Sequence, residues 1–301
     1  MSQIKIAYYP GCTLKTTAKN FENSAVAVAA ALGMELVELP KWNCCGTVHS
    51  LTDDNLMYHI APVRNLLRMK QMIRDKMITD ERRMVVLCSM CYNTLKRTNL
   101  RVRENPEELE KINGFMYEEA DKYDFNVEVI HFLDLLKEMD LAQIKSKVVQ
   151  PLNGLKVMPY YGCTLLRPKE VGIDDPEDPE LQENILAALG AEPVSSPYRK
   201  VCCGSYLTVE NKDLVVDLAY KILSHARKSG AEAITTSCPL CAFNLDNRQK
   251  EIKEKYPDFK NMPVFYFTQL MAWAFGLSQA CYGFEWHYPK PEPLLKEKQL
   301  C

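Results

Sequence analysis

Tyr8-Tyr9-Pro10-Gly11-Cys12-Thr13-Leu14 returns later in the chain as Tyr160-Tyr161-Gly162-Cys163-Thr164-Leu165. Reading outward, Cys44-Cys45-Gly46-Thr47 returns as Cys202-Cys203-Gly204-Ser205, and Cys88-Ser89-Met90-Cys91 as Cys238-Pro239-Leu240-Cys241. The order is the same each time: a lone Cys, then Cys-Cys-Gly, then Cys-x-x-Cys. The offsets are 151, 158 and 150 residues, about half of the 301. Five cysteines matched twice in order mark a tandem duplication. We divide the chain into a first repeat over 1–150, a second over 151–280 and a tail over 281–301.

Hydropathy places each cysteine group at a similar point. In the first repeat, 4–8, 35–39, 84–87 and 127–130 read as short buried strands, with helices over 15–32, capped by Gly33, and 53–76, started by Thr52, Asp53 and Asp54. In the second repeat, strands are expected over 155–160, 191–194, 233–236 and 264–267. Helices are expected over 180–189, capped by Gly190, and over 211–229 and 240–255. Strands alternating with helices give an α/β fold, two tandem pseudo-symmetric halves, each a small parallel sheet flanked by helices. Ligands of such sheets bind beyond the strand C-termini, where all six cysteine groups fall.

Composition narrows the class. With 47% hydrophobic and 25% charged residues the chain can bury ordinary cores. Its 37 basic and 39 acidic residues leave −2, without the basic face that nucleic-acid binding needs. The N-terminus lacks a secretory pattern, and the apolar stretch 264–280 is too short and too polar for a transmembrane span. A cytoplasmic protein is expected, and in a reducing compartment clustered cysteines bind metal or do redox work.

Four chemistries compete for each set of five thiols. Structural zinc takes four ligands and would leave one idle. A thioredoxin-like dithiol accounts for Cys88/Cys91 and Cys238/Cys241 but not for the other cysteines. Disulfides conflict with the compartment and with the odd number. An iron–sulfur cluster uses soft thiolates, and five suggest more contacts than a four-thiolate cubane makes. Gly46 and Gly204 allow the tight turn that aims adjacent sulfurs at one centre.

The doubled pattern, with its two Cys-Cys-Gly runs, resembles the cysteine-rich CCG-domain family, and within it the B component of methanogen heterodisulfide reductases. The resemblance runs from Tyr8 to about Asn244. The gap between Cys45 and Cys88 is longer than that between Cys203 and Cys238, without removing a ligand. It implies two [4Fe–4S] clusters of noncubane type. Cys12, Cys44, Cys45, Cys88 and Cys91 would hold one, and Cys163, Cys202, Cys203, Cys238 and Cys241 the other. It implies reduction of the coenzyme M–coenzyme B mixed disulfide (CoM-S-S-CoB) to two thiols in methanogenesis. It also implies partners: the C component of heterodisulfide reductase with cubane [4Fe–4S] clusters, its A component with FAD, and a hydrogenase or formate dehydrogenase in a larger complex. Relatives serving thiol:fumarate reductase, glycolate oxidase and glycerol-3-phosphate dehydrogenase generally carry a ferredoxin-like N-terminal region. No such run of cysteines occurs here, so electrons are expected from another protein of the complex. Rival readings are a CCG redox protein for another substrate and a zinc-stabilised interaction module.

The disulfide is expected between the two clusters, one sulfur facing each. Lys15, Lys41, Arg167, Arg199 and Lys200 lie near the cysteine loops and are candidates for anionic coenzyme groups, or else solvated charges. His49 is a candidate proton donor, or else an ordinary loop histidine. Cys281 is expected to pack beside Tyr282, Phe284 and Trp286, near a partner protein, and terminal Cys301 to be mobile. The proline-rich run Tyr288–Pro293 is expected to be extended. Met69, Met72 and Met77 read as helix core.

Overall fold

A computed structural model describes residues 3–47, 55–124 and 127–300. His49, the Thr52-Asp53-Asp54 cap and Cys301 lie outside these residues. The first repeat runs β1 (Ile4–Tyr9), α1 (Lys19–Ala31), β2 (Met34–Glu38), α2 (Ile60–Arg74), β3 (Asp80–Val86), α3 (Ser89–Glu104), α4 (Pro106–Phe115), β4 (Glu128–His131), α5 (Phe132–Glu138) and α6 (Leu141–Ser146). The second runs β5 (Lys156–Tyr160), α7 (Leu181–Ala188), β6 (Glu192–Pro193), α8 (Lys212–Lys228), β7 (Ala233–Thr236), α9 (Pro239–Ala242), α10 (Gln249–Lys255), β8 (Val264–Tyr266) and α11 (Phe267–Ala274). A last helix, α12 (Glu292–Glu297), belongs to the tail.

Each repeat builds a four-stranded parallel sheet, ordered β2-β1-β3-β4 and β6-β5-β7-β8. The matching orders confirm the duplication. Their central strands are buried near-continuously, as strands covered on both faces must be: Ile6, Ala7, Tyr8 and Tyr9, then Met84, Val85 and Val86.

The repeats interlock. On α1, Phe21, Ser24, Ala25, Val28 and Ala29 form one buried stripe at helical spacing. That stripe packs against α11 of the other repeat, where Ser24 Oγ and Thr268 Oγ1 lie 2.7 Å apart. Phe21 stacks on Tyr266 with centroids 4.2 Å apart. In return, the Tyr92 hydroxyl donates to the Val171 carbonyl (2.7 Å), and Asn93 donates to the carbonyls of Thr164 and Arg167. No helix among the described residues is long and apolar enough to cross a membrane.

Three sequence expectations need correction. The helix expected over 240–255 is broken by a π-type turn at Phe243–Asn247 between α9 and α10. The tail is not extended: Pro291 caps α12 and Pro293 lies in its first turn, where a missing N–H costs nothing. Leu295 and Leu300 anchor it in the core. Of the three methionines, Met69 and Met72 are core residues of α2, whereas Met77 follows the helix and is exposed.

Candidate metal centre

β1 and β5 each end in a buried tyrosine followed by a left-handed glycine. Gly11 has φ +72° and Gly162 φ +68°, and each sets up the turn carrying the lone cysteine. The Tyr9 hydroxyl donates to the Asn43 carbonyl (2.9 Å), just before Cys44, and the Tyr160 hydroxyl donates to the Val201 carbonyl (2.5 Å), just before Cys202. The true counterparts are therefore Tyr9 and Tyr160, with Pro10 opposite Tyr161. These tyrosines tie the lone-cysteine loop to the Cys-Cys loop. The sequence shows their repetition but not that tie. A side chain at Gly11 would meet Cys91 Sγ at 3.2 Å, and one at Gly162 would meet Cys241 Sγ at 3.6 Å. Glycine there keeps the sulfur-lined space open.

The Cys-Cys-Gly turns work alike in both repeats. Gly46 (φ +74°) and Gly204 (φ +73°) fold the backbone so that amides face the first sulfur of the pair. Gly204 N–H donates to Cys202 Sγ (3.3 Å). A hydrogen bond from Cys163, with the Gly204 and Ser205 amides, brings the Cys202 thiol down to about 6. Hydrogen bonds from Cys12 and Cys45, with the Gly46 and Thr47 amides, hold Cys44 lower still, at about 2. Donors aimed at a sulfur favour its anionic form, the form that ligates metal.

The third group starts at the ends of β3 and β7, where Cys88 and Cys238 N-cap α3 and α9. Cys45 Sγ lies 3.3 Å from Cys91 Sγ, and Cys203 Sγ lies 3.5 Å from Cys241 Sγ. Across the repeats, Cys88 Sγ and Cys238 Sγ are 4.0 Å apart. Beside them, Ser89 N–H donates to the Ser237 carbonyl (3.2 Å), and the two hydroxyls are 2.8 Å apart. The two thiol sets thus meet at the repeat interface. Cys12 and Cys44 face solvent; Cys45, Cys88, Cys91, Cys203, Cys238 and Cys241 are buried; Cys163 and Cys202 are intermediate.

Fit to a metal group is judged on the donors. Each repeat offers five thiols at one rim, a soft all-sulfur set that suits an iron–sulfur cluster. Among the described residues no three His, Cys, Asp or Glu side chains are arranged around a point fit for one ion. The sulfurs instead approach one another in succession, as in Cys12, Cys44, Cys45 and Cys91.

Sequence reasoning missed three neighbours of these thiols. Asn244 Nδ2 donates to the Cys203 carbonyl (3.0 Å) and approaches Cys203 Sγ at 3.7 Å. Asn93, one residue before the position equivalent to Asn244, bridges to the other repeat instead. His131 is fully buried, its Nε2 2.8 Å from the Leu87 carbonyl, and burial lowers its pKa to about 4. Tyr266 sits at the equivalent strand end, and burial raises its hydroxyl, with Cys238 adding to the effect.

The basic candidates are mostly engaged. Lys15 pairs with Glu22 and Glu38, Arg167 and Lys200 both pair with Glu177, and buried Arg199 pairs with Asp178 and Glu183. Lys41 takes a left-handed backbone, φ +52°. Cys281 is partly buried against the core, as expected.

Comparison with known proteins agrees with this architecture. The chain is 32% identical over 276 residues to the 8-methylmenaquinol:fumarate reductase membrane anchor subunit of Wolinella succinogenes, covering 91% of this chain and 93% of that one. It is 28% identical over 290 residues to the B subunit of the ferredoxin/F(420)H(2)-dependent CoB-CoM heterodisulfide reductase of Methanosarcina acetivorans, covering 93% and 92%. Among solved structures, a hypothetical protein from Helicobacter pylori superposes with TM-score 0.75 at 13% identity. That match covers 96% of this chain and 54% of the other, so this chain spans about half of that protein's length, and the likeness concerns the fold. The cysteine-rich domain model CCG matches twice, at residues 6–96 and 157–246, over the two rims of thiols described above, and the chain belongs to that family.

Proposed function

We propose that this chain is the disulfide-cleaving iron–sulfur subunit of a larger cytoplasmic redox complex, an oxidoreductase acting on a sulfur group. The observation that carries this reading is the meeting of two all-sulfur donor sets at the repeat interface, with Cys88 and Cys238 4.0 Å apart. Cys12, Cys44, Cys45, Cys88 and Cys91 would hold one [4Fe–4S] cluster of noncubane type, and Cys163, Cys202, Cys203, Cys238 and Cys241 the other. When bound, each cluster would supply a one-electron couple and an iron able to meet a substrate sulfur.

The chain's own residues set the stage for this. Hydrogen bonds from Cys12 and Cys163, with the Gly46/Thr47 and Gly204/Ser205 amides, lower the Cys44 and Cys202 thiols, and Asn244 steadies Cys203. The substrate takes up two electrons from partner subunits and two protons, giving two thiols. The mixed disulfide of coenzyme M and coenzyme B is the proposed substrate, supported by the heterodisulfide reductase relatives. A second reading, electron transfer in a quinol:fumarate reductase, draws support from the 32% relative and from the engagement of four of the five basic candidates in ion pairs. Anaerobic co-purification with the partner subunits tests both. Iron and labile sulfide with turnover of the mixed disulfide support the first reading; iron without that turnover, but with fumarate-linked oxidation of a quinol, supports the second. Zinc without iron defeats both.

A further inference from the structure

Beside the Cys238–Cys241 turn, between the repeats, lies a cavity of about 300 Å³. Thr16 and Asn20 wall it from the first repeat, Ala242, Asp246 and Tyr266 from the second, and His287 from the tail. Counted from the Cys-x-x-Cys pairs, 150 residues apart, Ala242 corresponds to Tyr92 and Asp246 to Lys96. In the first repeat the Tyr92 ring is fully buried, edge-on to His131 at 5.6 Å, with its hydroxyl bound by Lys96 Nζ (2.6 Å). A methyl group and a carboxylate replace that ring and amine in the second repeat.

The π-type turn places Asp246 here, 4% exposed. Its Oδ2 accepts from Tyr288 N–H (2.7 Å), while the buried Oδ1 has no hydrogen-bond partner and lies 3.4 Å from His287 Nδ1. The His287 tautomer follows from Gln269. That amide accepts from Tyr266 N–H through Oε1 and donates to the Tyr282 carbonyl through Nε2, so its orientation is fixed. Nε2 also faces His287 Nε2 at 2.9 Å, which must accept, leaving the imidazole proton on Nδ1 toward Asp246. Tyr266 and Asp246 line this cavity together with Pro239 of the Cys238–Cys241 turn.

We propose that this cavity is the proton-supply chamber of the disulfide-reducing site: Asp246 carries the proton, Tyr266 bridges hydroxyl-wise to the Cys238–Cys241 turn, and His287 positions the carboxyl. The inference rests on the reading under Proposed function. The substrate S–S bond breaks, two electrons arrive from the partner iron–sulfur or flavin protein, and two protons form the two S–H bonds. Asp246 passes a proton on and is recharged from chamber water; at roughly 30 Å³ each, about ten waters fit the space. A buried carboxyl on the wall of a chamber that also carries Thr16 and Asn20 suits this task.

The test uses the whole complex with its iron and sulfide quantified. Asp246→Asn is expected to keep both contents and the spectrum of the reduced clusters. Its kcat should fall on the order of 100-fold with KM within about twofold. The solvent deuterium isotope effect should grow, and Asp246→Glu should restore most of the rate. Ala242→Tyr, which copies the first repeat into the chamber, should slow turnover in the same way. Reduced-minus-oxidised infrared spectra without substrate should show a carboxyl band that shifts in deuterium oxide and is absent from Asp246→Asn. Wild-type turnover in both Asp246→Asn and Ala242→Tyr, or no such band in the wild type, overturns the chamber. A raised KM at unchanged kcat makes the cavity a substrate pocket and overturns it as well. If Asp246→Asn loses iron, Ala242→Tyr and the wild-type infrared band decide. A band present in a complex that reduces no disulfide upholds the chamber while the substrate reading falls.

Discussion

In the first repeat, the cysteine that opens the set and the first of its vicinal pair face solvent; in the second, the same two positions are half-covered. Where the repeats touch, Ser89 N–H bonds the Ser237 carbonyl, but the symmetric bond from residue 239 to residue 87 does not form. Residue 239 is a proline without an N–H, and the Leu87 carbonyl is served by His131 instead. Asn244 reaches back to Cys203, whereas its counterpart Thr94 bonds its own helix at the Met90 carbonyl. The ten thiols are held by duplicated backbone devices: the left-handed glycines, the buried tyrosines and the strand-to-helix turns. What surrounds those devices has diverged. On the proposed function, ligation would constrain the first class tightly and leave the second free to give each rim its own access.

The strongest way to break this comparison is to remove one ligand from each side. Cys91→Ala and Cys241→Ala should each lose about half of the iron and sulfide per chain and slow disulfide reduction ~100-fold or more, since buried ligands have no substitute. Full iron in either variant would show that the quintets are not separate sites. A second difference is acidity. The thiolate is the reactive form, so in metal-free protein Cys44 should remain open to alkylation in mild acid, while Cys202 labelling is lost as the pH falls through about 6. Near pH 4.5, peptide mass mapping should find Cys44 alkylation close to its own rate at neutral pH and Cys202 alkylation below about a tenth of its own.

The glycines offer a milder contrast. Both Gly46 and Gly204 are left-handed, but a Cβ at 204 would meet Leu218 Cδ1 at 2.9 Å and Val215 Cγ2 at 3.2 Å, whereas one at 46 finds nothing nearer than 3.6 Å. Denaturant titration should show Gly204→Ala costing ~2–3 kcal/mol against ~1 kcal/mol for Gly46→Ala. Equal losses would mean that the backbone angle alone decides. The smallest effect belongs to the seam. Ser89→Ala removes the hydroxyl's hydrogen bonds to the Ser237 carbonyl and hydroxyl and leaves the backbone bond to Ser237, so a loss of ~1 kcal/mol is expected in the same titration.

The duplication, the two sheets and all ten thiols could be read from sequence because the motifs recur in order and buried strands are runs of apolar residues. What escaped that reading depends on geometry. The turn at Phe243–Asn247 is invisible because its residues fit an ordinary helix, yet its register decides where Asp246 points. Prolines at 291 and 293 argue against a helix until one sees that they occupy its start. Arg167, Arg199 and Lys200 looked available because their carboxylate partners, Glu177, Asp178 and Glu183, come from elsewhere in the chain. Tyr9 and Tyr160 were aligned one residue out because a tyrosine doublet offers two registers. Only the hydroxyl contacts choose between them.

The near-contact of sulfurs also has a practical side. Cys45 with Cys91, and Cys203 with Cys241, need only a short approach to couple oxidatively, so air is expected to staple the metal-free protein shut by joining the proposed ligands. Material handled aerobically would then refuse reconstitution until reduced, and its inactivity would say nothing about its native chemistry.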